Sequence, residues 1–187
     1  MKKIFLFLVL LLSVLGASAQ EKPLEFSEVI QAEGKSAQEL YVIVKSWVAT
    51  NFRSANAVIQ MDDKESGVLI GKGNFDYRAP GGMSYRFIDG PVWFTLNIQT
   101  RDGRYKVTLN DFRHESREIK SWVKETWSFG QITDRPKFKM KGLQDKRWTK
   151  TWPDLQTKCE EHSLLTFEEL KKATSGEKPV VDEKNQW

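Results

Sequence analysis

The 187-residue chain has only one cysteine and two histidines. A single cysteine excludes a disulfide-stapled scaffold, and two histidines exclude a His-rich metal site. Charged residues make up 29% of the chain and apolar residues 40%, which excludes both a membrane-embedded bundle and a disordered polymer. The length is that of one domain. The composition therefore predicts a single globular domain that does not depend on disulfides.

The only long apolar run lies at the N-terminus. Residues 4–12 are apolar throughout, follow Lys2 and Lys3, and precede the small residues 17–19. This order is typical of a secretory signal peptide over 1–19, cleaved after Ala19. A membrane anchor is the alternative, but the run is short for a span of about 20 residues. Cleavage would lower the net charge from +4 to +2. We expect a bacterial periplasmic or secreted protein with no membrane span after cleavage.

A strand and a helix open the predicted domain. Residues 26–30 alternate loosely between apolar and polar, which predicts a strand. Ser36 and Glu39 have the spacing of a capping box, in which each side chain binds the other residue's backbone N–H group. Apolar residues then recur at helical spacing until about Phe52, and this stripe must face a sheet. The stripe consists of Leu40, Ile43, Val44, Trp47 and Val48.

Four antiparallel strands are predicted to follow. Gly71 and Gly73 indicate a bulge or a close backbone approach in the second of them. Asp102 and Gly103 form a hairpin turn between the third and the fourth, both of which alternate apolar and polar residues. The polar residues 62–67 predict a turn between the first and the second. The predicted strands are 57–61, 68–77, 92–100 and 105–112.

The C-terminal part is predicted to contain two helices and a tail. Residues 154–162 have helical composition, and Thr166 with Glu169 forms a second capping box that would open a helix over 167–173. Residues 175–187 mix Gly, Pro and charge without a period, which predicts a loose tail. The overall order, β-α-β-β-β-β-α, predicts an α+β two-layer sandwich with helices on one face of an antiparallel sheet.

Three segments of this predicted core resemble a bacterial family. They are GKSAQELYVIVKSW at 34–47, SANAVIQMDD at 54–63 and GVLIGKG at 67–73. They are similar to a family of secreted proteins known only as a domain of unknown function with a TATA-binding-protein-like (TBP-like) fold. The resemblance covers 24–113 and implies the same element order, but no activity and no catalytic residue. Within a single domain at 20–174, it leaves 114–152 as an individual basic extension and 153–174 as a C-terminal helical region.

The residues that usually carry catalysis are sparse in this chain. Cys159 and His162 are three apart and could share one face of a helix. The two glutamates between them would raise the thiol pKa, which is the wrong direction for a nucleophile. A small buried cysteine and a solvated histidine are the favoured interpretation. Asp62, Asp63 and Glu65 in the predicted turn lack the spacing of a calcium-binding loop. We predict no catalytic residue, no metal site and no cofactor.

One candidate binding surface is the sheet face that the helices leave open. Its predicted side chains carry amide, hydroxyl, ammonium and indole groups, which can bind sugars, peptides or another protein. An ordinary solvated face is the alternative. The candidate residues are Trp93, Thr95, Asn97, Gln99, Lys106, Thr108 and Asn110, with Lys72, Asn74 and Phe112 expected beside them.

The second candidate surface is the stretch 120–152. It holds four of the seven tryptophans and nine basic residues against three acidic ones, a net charge of +6. Basic residues interleaved with aromatic residues bind anionic polymers by charge and stacking. The alternative is that the tryptophans complete the core while the lysines keep an edge strand soluble. The candidate binding residues are Lys137, Lys139, Lys141 and Trp148, and the other tryptophans are Trp122, Trp127 and Trp152.

These observations favour an exported, non-enzymatic binding or interaction module of the bacterial envelope. Its expected partner is envelope polysaccharide or another envelope protein. We do not expect nucleic acid, because an exported chain does not meet DNA. An envelope hydrolase with an unidentified site and a purely structural envelope component are the alternatives.

Overall fold

The computed structural model describes four stretches of the chain: 21–52, 59–117, 127–135 and 143–176. The elements in chain order are β1 Phe26–Gln31, α1 Ala37–Asn51, β2 Ile59–Asp63, β3 Val68–Tyr77, a 3-10 helix Gly82–Ile88, β4 Gly90–Arg101, β5 Arg104–His114, β6 Gly130–Gln131 and α2 Leu143–Ser175. The described strands form one antiparallel sheet in the order β1-β5-β4-β3-β2, and β6 pairs with the end of β5. Both helices pack on the same face of this sheet. The predicted α+β two-layer sandwich is therefore confirmed.

Helix α1 begins at the predicted capping box. The Glu39 backbone N–H donates to Ser36 Oγ at 3.3 Å, and the Ser36 N–H donates to Glu39 Oε2 at 2.8 Å. These bonds satisfy N–H groups that have no partner within the helix. The Ala37 N–H donates to Asp102 Oδ1 at 2.8 Å, so the β4–β5 turn also caps α1. Local sequence thus sets the start of the helix, whereas its attachment to the sheet comes from a turn 65 residues further along the chain.

The hairpin of β4 and β5 forms at the predicted turn. Arg101 pairs with Arg104, and Gly103 between them has φ of +73°, a left-handed conformation that favours glycine. Gly73 in β3 shows the predicted close approach, because a Cβ there would lie 2.5 Å from the Phe94 ring and 2.7 Å from the Phe52 ring. That contact seats α1 close to the middle of the sheet.

Strand β2 runs two residues further than predicted. Residues 57 and 58 lie outside the described stretches, and the strand ends at Asp63, within the predicted polar turn, instead of at Met61. Asp62 points to the helical side of the sheet, where its carboxylate accepts hydrogen bonds from the Tyr41 hydroxyl and, at 2.5 Å, from Lys45 Nζ. Partners on α1 therefore extend the strand through an aspartate that local sequence places in a turn.

A bulge in β5 reverses the predicted side of Phe112. Asn110 pairs with Thr95 and Arg113 pairs with Trp93, so two residues of β5 lie opposite Phe94 alone. Asp111 occupies the extra position with φ of +51°, a conformation that aspartate tolerates better than most residues. The prediction that Phe112 lies on the open face is wrong: its side chain is fully buried in the core. The open face consequently carries Arg113 at the place beside Trp93.

A single long helix replaces the two helices predicted near the C-terminus. Helix α2 covers Leu143–Ser175, so it crosses the predicted boundary at 152 and extends into the predicted tail. The second capping box is wrong, because Thr166 lies inside the helix and its hydroxyl donates to the His162 carbonyl at 2.9 Å. The buried stripe continues without a break along the helix, through polar as well as apolar residues: Trp152, Leu155, Cys159, Ser163, Thr166, Phe167, Leu170 and Thr174.

Two contacts tie α2 to the sheet. Tyr77 on β3 donates its hydroxyl to Asp154 Oδ2 at 2.8 Å. Lys171 binds Glu28 of β1 at 2.9 Å. Burial and the adjacent carboxylate raise the pKa of Tyr77 above its usual range, so this hydroxyl stays a donor. Within the described residues, no helix is both long enough and apolar enough to cross a membrane.

Candidate functional site

The sheet face opposite the helices is the candidate site. Alternate residues of β4 lie on the two faces: Val92, Phe94, Leu96 and Ile98 are buried against the helices. Every open-face residue named from the sequence, apart from Phe112, lies on the other side. Lys72, Asn74, Trp93, Gln99 and Lys106 are exposed, and Thr95, Asn97, Thr108 and Asn110 are half-buried.

Strand pairing arranges these side chains in rows across β3, β4 and β5. One row is Asn74, Trp93 and Arg113; the next is Lys72, Thr95 and Asn110; the third is Ile70, Asn97 and Thr108; the fourth is Val68, Gln99 and Lys106. Neighbouring strands are about 4.8 Å apart and successive rows about 7 Å apart, so the patch measures roughly 10 by 20 Å. We call these twelve residues the open-face patch. Its dimensions suit a short stretch of an extended polymer.

Trp93 is the middle residue of the row that also contains Asn74 and Arg113. Its side chain is 40% exposed, and its Nε1–H donates to Glu115 Oε2 at 3.1 Å. The hydrogen bond restrains the indole while leaving part of the ring open to solvent. An aromatic ring beside amides and a guanidinium offers both a stacking surface and donors.

Sequence reasoning missed four features of this face. Arg113 and Glu115 flank Trp93, and the apolar side chains of Val29 and Met61 are 52% and 46% exposed on the outer strands. The signal for Arg113 was present in the sequence: Leu109 and Phe112 are apolar but three apart, which breaks the alternation and indicates a bulge. Nothing local indicates the other three, because strand order decides which residues become outer neighbours.

The basic, Trp-rich stretch contributes to the core in its described part. Trp152 is fully buried, and Trp148 packs partly buried against it with ring centroids 6.2 Å apart. The binding role of Trp148 stays a prediction: the residue is half-buried, its ring centroid lies 4.2 Å from that of Phe129, and its Nε1 is shielded from solvent. Neither indole Nε1 has a hydrogen-bond partner among the described residues. Trp122, Lys137, Lys139 and Lys141 lie outside the described stretches.

Cys159 and His162 share a helix face, but not as a nucleophile pair. Cys159 is fully buried, and burial raises the pKa of its thiol to about 12, which keeps the thiol protonated. His162 stacks on Phe75 at 4.6 Å and lies 5.0 Å from Phe94, so the expectation of a solvated histidine is wrong. Burial lowers the pKa of His162. A protonated thiol beside a neutral imidazole has no activated nucleophile.

His114 is a structural connector at the end of β5. Its Nε2 lies 2.8 Å from the Ile88 carbonyl, and its Nδ1 accepts the Phe129 N–H at 3.1 Å. Because a backbone N–H can only donate, Nδ1 carries no proton and Nε2 donates. Burial lowers the pKa of His114 to about 4, so the ring is neutral at pH 7. The ring thereby joins the 3-10 helix to the segment before β6.

The acidic residues considered for calcium have other partners. Asp62 binds Tyr41 and Lys45, and Asp63 Oδ1 accepts the Ser66 N–H at 3.0 Å, which closes the β2–β3 turn. Lysine and turn bonds hold the pKa values of Asp62 and Asp63 below their usual range. Within the described part of the chain, no three His, Cys, Asp or Glu residues lie together in a metal-binding arrangement.

Two solved structures are similar to this chain in fold. A TBP-like protein from Parabacteroides distasonis ATCC 8503 has a TM-score of 0.55 at 11% identity, covering 86% of this chain and 97% of its own. A DUF4468 family protein from Bacteroides ovatus ATCC 8483 has a TM-score of 0.48 at 16% identity, covering 78% and 86%. The 86% coverage means that the shared fold extends past the predicted family-like core into the stretch expected to be individual.

The sequence comparisons agree with this fold and assign no activity. No curated protein matches the chain. Residues 26–115, which contain every strand of the open-face patch, match the family described as a domain of unknown function (DUF4468) with TBP-like fold. This part of the chain therefore belongs to the DUF4468 family.

Proposed function

We propose that the chain is an exported, non-enzymatic binding module of the bacterial envelope, and that its open-face patch binds envelope glycan. Export is supported by the predicted signal peptide over 1–19. The glycan is supported by the chemistry of the patch, which combines one restrained indole with hydroxyl, amide and cationic groups. Sugars present apolar C–H faces and many hydroxyls, and this mixture complements both.

One observation carries the proposal: Trp93 is exposed on the middle strand of the sheet, in a row with the polar residues Asn74 and Arg113. The register of β4 with β3 and β5 places Trp93 on the open face and not in the core. The hydrogen bond to Glu115 holds the indole on that face. An exposed aromatic side chain costs solvation free energy, which a bound sugar would recover by covering the ring. The neighbouring Asn74 and Arg113 then supply donors at the rim.

The test is a pull-down with purified bacterial peptidoglycan and, separately, purified envelope polysaccharide. The chain is expressed with its own leader and isolated from the periplasm, and its mass shows whether it begins at Gln20. We expect binding to at least one of the two, and W93A should weaken it about thirtyfold, the loss typical of a tryptophan anchor of about 2 kcal/mol.

The matched control is L164A, which removes an exposed apolar side chain on α2, on the helical side. L164A should bind like the unaltered protein. If neither polymer retains the unaltered chain, or if both variants lose equally, the glycan proposal fails. Release of soluble fragments from peptidoglycan would instead support the envelope hydrolase.

A protein partner is the second candidate, favoured by Val29 and Met61. Both are apolar and about half exposed on the outer strands of the same face. A protein interface would use these residues together with Trp93, since exposed apolar side chains on one face mark interaction surfaces. A V29S/M61S variant that still binds glycan but loses a cross-linked envelope protein would assign the face to the protein.

A further inference from the structure

Three arginines meet in a cleft at one end of the sheet, remote from the helices' central contacts. Arg78 follows β3, Arg86 lies in the 3-10 helix, and Arg117 follows β5. The cleft has a volume of about 490 Å³ and also includes Ala79, Gly82, Met83 and Asp89. Because the strands are antiparallel, the end of β3, the start of β4 and the end of β5 lie at the same end of the sheet. The segment 78–89 supplies Arg78 and Arg86, and the sheet topology adds Arg117 from a distant part of the chain.

The carboxylates near this cleft already have partners. Asp76 accepts a hydrogen bond from Arg117 Nη2 at 2.6 Å, and Asp89 Oδ1 accepts the Ala79 N–H at 2.9 Å. Within the described residues, Arg78 and Arg86 have no carboxylate within ion-pairing distance, and both are exposed. Two guanidinium groups are therefore free to bind an anionic group bidentately.

Two more cations lie beside the same 3-10 helix. The Arg147 guanidinium lies 5.1 Å from the Phe87 ring centre, and Lys150 Nζ lies 5.6 Å from the Tyr85 ring centre. These cation–π contacts hold positive charge from α2 next to the helix that carries Arg86. Arg147 and Lys150 therefore add positive charge on the side of the 3-10 helix that faces α2.

Met83 projects from the middle of this cationic end. Its side chain is 83% exposed, the highest value for a large apolar residue in the described part of the chain. Tyr85 packs on the backbone of Gly81 so closely that a Cβ there would lie 2.2 Å from the ring, which fixes the shape of the loop that presents Met83. An apolar tip surrounded by cations is the pattern of a surface that enters the interface of an anionic bilayer.

We propose that this end of the molecule, formed by Arg78, Arg86, Arg117 and Met83, docks on a membrane surface rich in anionic phospholipid. The guanidinium groups bind the lipid phosphates, and Met83 enters the boundary between headgroups and acyl chains. This surface differs from the open-face patch, so a chain can hold both ligands at once. The cationic end would place the module on the envelope membrane, with the open-face patch free.

The test is sedimentation of the exported chain with vesicles of phosphatidylcholine containing 30% phosphatidylglycerol, compared with pure phosphatidylcholine. We expect partitioning on the anionic vesicles only, falling as salt is raised. Each arginine near an anionic surface contributes a factor of about five in binding, so R78Q/R86Q should weaken partitioning about thirtyfold. Both side chains are exposed, and an unchanged thermal midpoint would show that the variant is folded.

The matched control is R101Q/R104Q, which removes the same charge at the β4–β5 turn. That turn lies about 35 Å from the cleft along β4, so this variant should lose less than threefold. Equal losses in the two variants would overturn the proposal in favour of non-specific charge attraction. Partitioning that neutral vesicles match would overturn it as well.

A second readout reports which surface meets the bilayer. M83C, labelled with an environment-sensitive dye, should shift to shorter wavelength on anionic vesicles, whereas labelled M61C on the open face should not. The native Cys159 is fully buried and does not compete for the label. An unshifted dye at 83, or equal shifts at both positions, would overturn the proposal. Neither result bears on glycan binding, which is measured without lipid through Trp93.

Discussion

The two faces of the sheet are made by the same strands but differ in burial: one packs against the helices and the other is accessible to solvent. On one face, Phe94, Leu96 and Leu109 are buried against α1 and α2, and these contacts supply stability. On the other face, Trp93, Asn97 and Thr108 occupy the intervening positions and remain at least partly accessible. Period-two alternation therefore separates buried from accessible side chains within one strand. Substitutions on the two faces should therefore have separable effects.

At the bulge at Asp111, the core-facing positions of β5 change from odd-numbered to even-numbered residues. Before it, the odd-numbered residues of β5 face the core; after it, Phe112 and His114 face the core and Arg113 faces outward. One extra residue thus brings a cation to the row of Trp93 and a histidine into the core. The same irregularity serves both faces.

The largest expected effect is the contrast between two tryptophans. W152A removes a fully buried ring from the core and should lower the free energy of unfolding by about 3–5 kcal/mol. W93A removes a partly exposed ring from the open face and should cost about 1 kcal/mol or less. Urea denaturation of both variants measures the difference. Equal losses would mean that the open face is as well packed as the core.

The second effect is the pH dependence that His114 gives to the core face. Its pKa is about 4 in the folded chain and about 6.5 when unfolded, so the unfolded state takes up the proton first as pH falls. Stability should be undiminished above pH 6.5 and should decline by about 3 kcal/mol by pH 4. Glu115 and Asp89 nearby oppose the lowering and limit its size. Unfolding free energies at pH 7, 5.5 and 4.5 measure this slope.

The control for the pH effect is H114Q, in which the side chain cannot gain a charge. H114Q should be less stable at pH 7, because the bonds to Ile88 and Phe129 change. Between pH 7 and 4.5, the unfolding free energy of H114Q should decline much less than that of the unaltered chain. H162Q removes the half-buried imidazole, whose pKa burial also lowers. An identical slope in H114Q would show that His114 is not the group that titrates.

The smallest effect concerns the helical cover of the core face. S36A deletes the capping-box hydroxyl of α1 and should cost about 1 kcal/mol. S46A makes the same substitution at an exposed position inside α1 and should be neutral or slightly stabilising, since alanine favours helix. Thermal midpoints of the two variants measure the difference. If S46A were the more harmful, the cap would not anchor the helix.

Prediction from sequence was accurate where the signal is local. The capping box at Ser36 and the turn at Gly103 each depend on a few adjacent residues, and both formed as expected. Strand β3 begins and ends at the predicted residues. The capping box at Thr166 failed although its spacing is the same, because α2 continues through it with Thr166 buried against the core. Tertiary burial overrides a local signal for a helix start.

The candidate site was predictable in part for the same reason. Alternation placed Trp93, Asn97 and Lys106 on one face once the helices were assigned to the other. Alternation alone could not place Phe112 or Arg113, because the bulge shifts the register. The arginine cleft combines Arg78 and Arg86 with Arg117, which lies 31 residues beyond Arg86 in the sequence, so no short sequence window contains all three.

The sequence by itself determined the element types, the α+β class, the capping box and the β4–β5 hairpin, since each depends on contacts within a few residues. It also contains the apolar N-terminal run from which export is predicted. Only the tertiary structure decided the strand order, the continuity of α2, the packing of Trp148 and Trp152 against the core, and the meeting of Arg117 with Arg78 and Arg86. The physical reason is distance along the chain: local bonding is specified by neighbouring residues, whereas burial and charge clustering depend on partners that folding brings together.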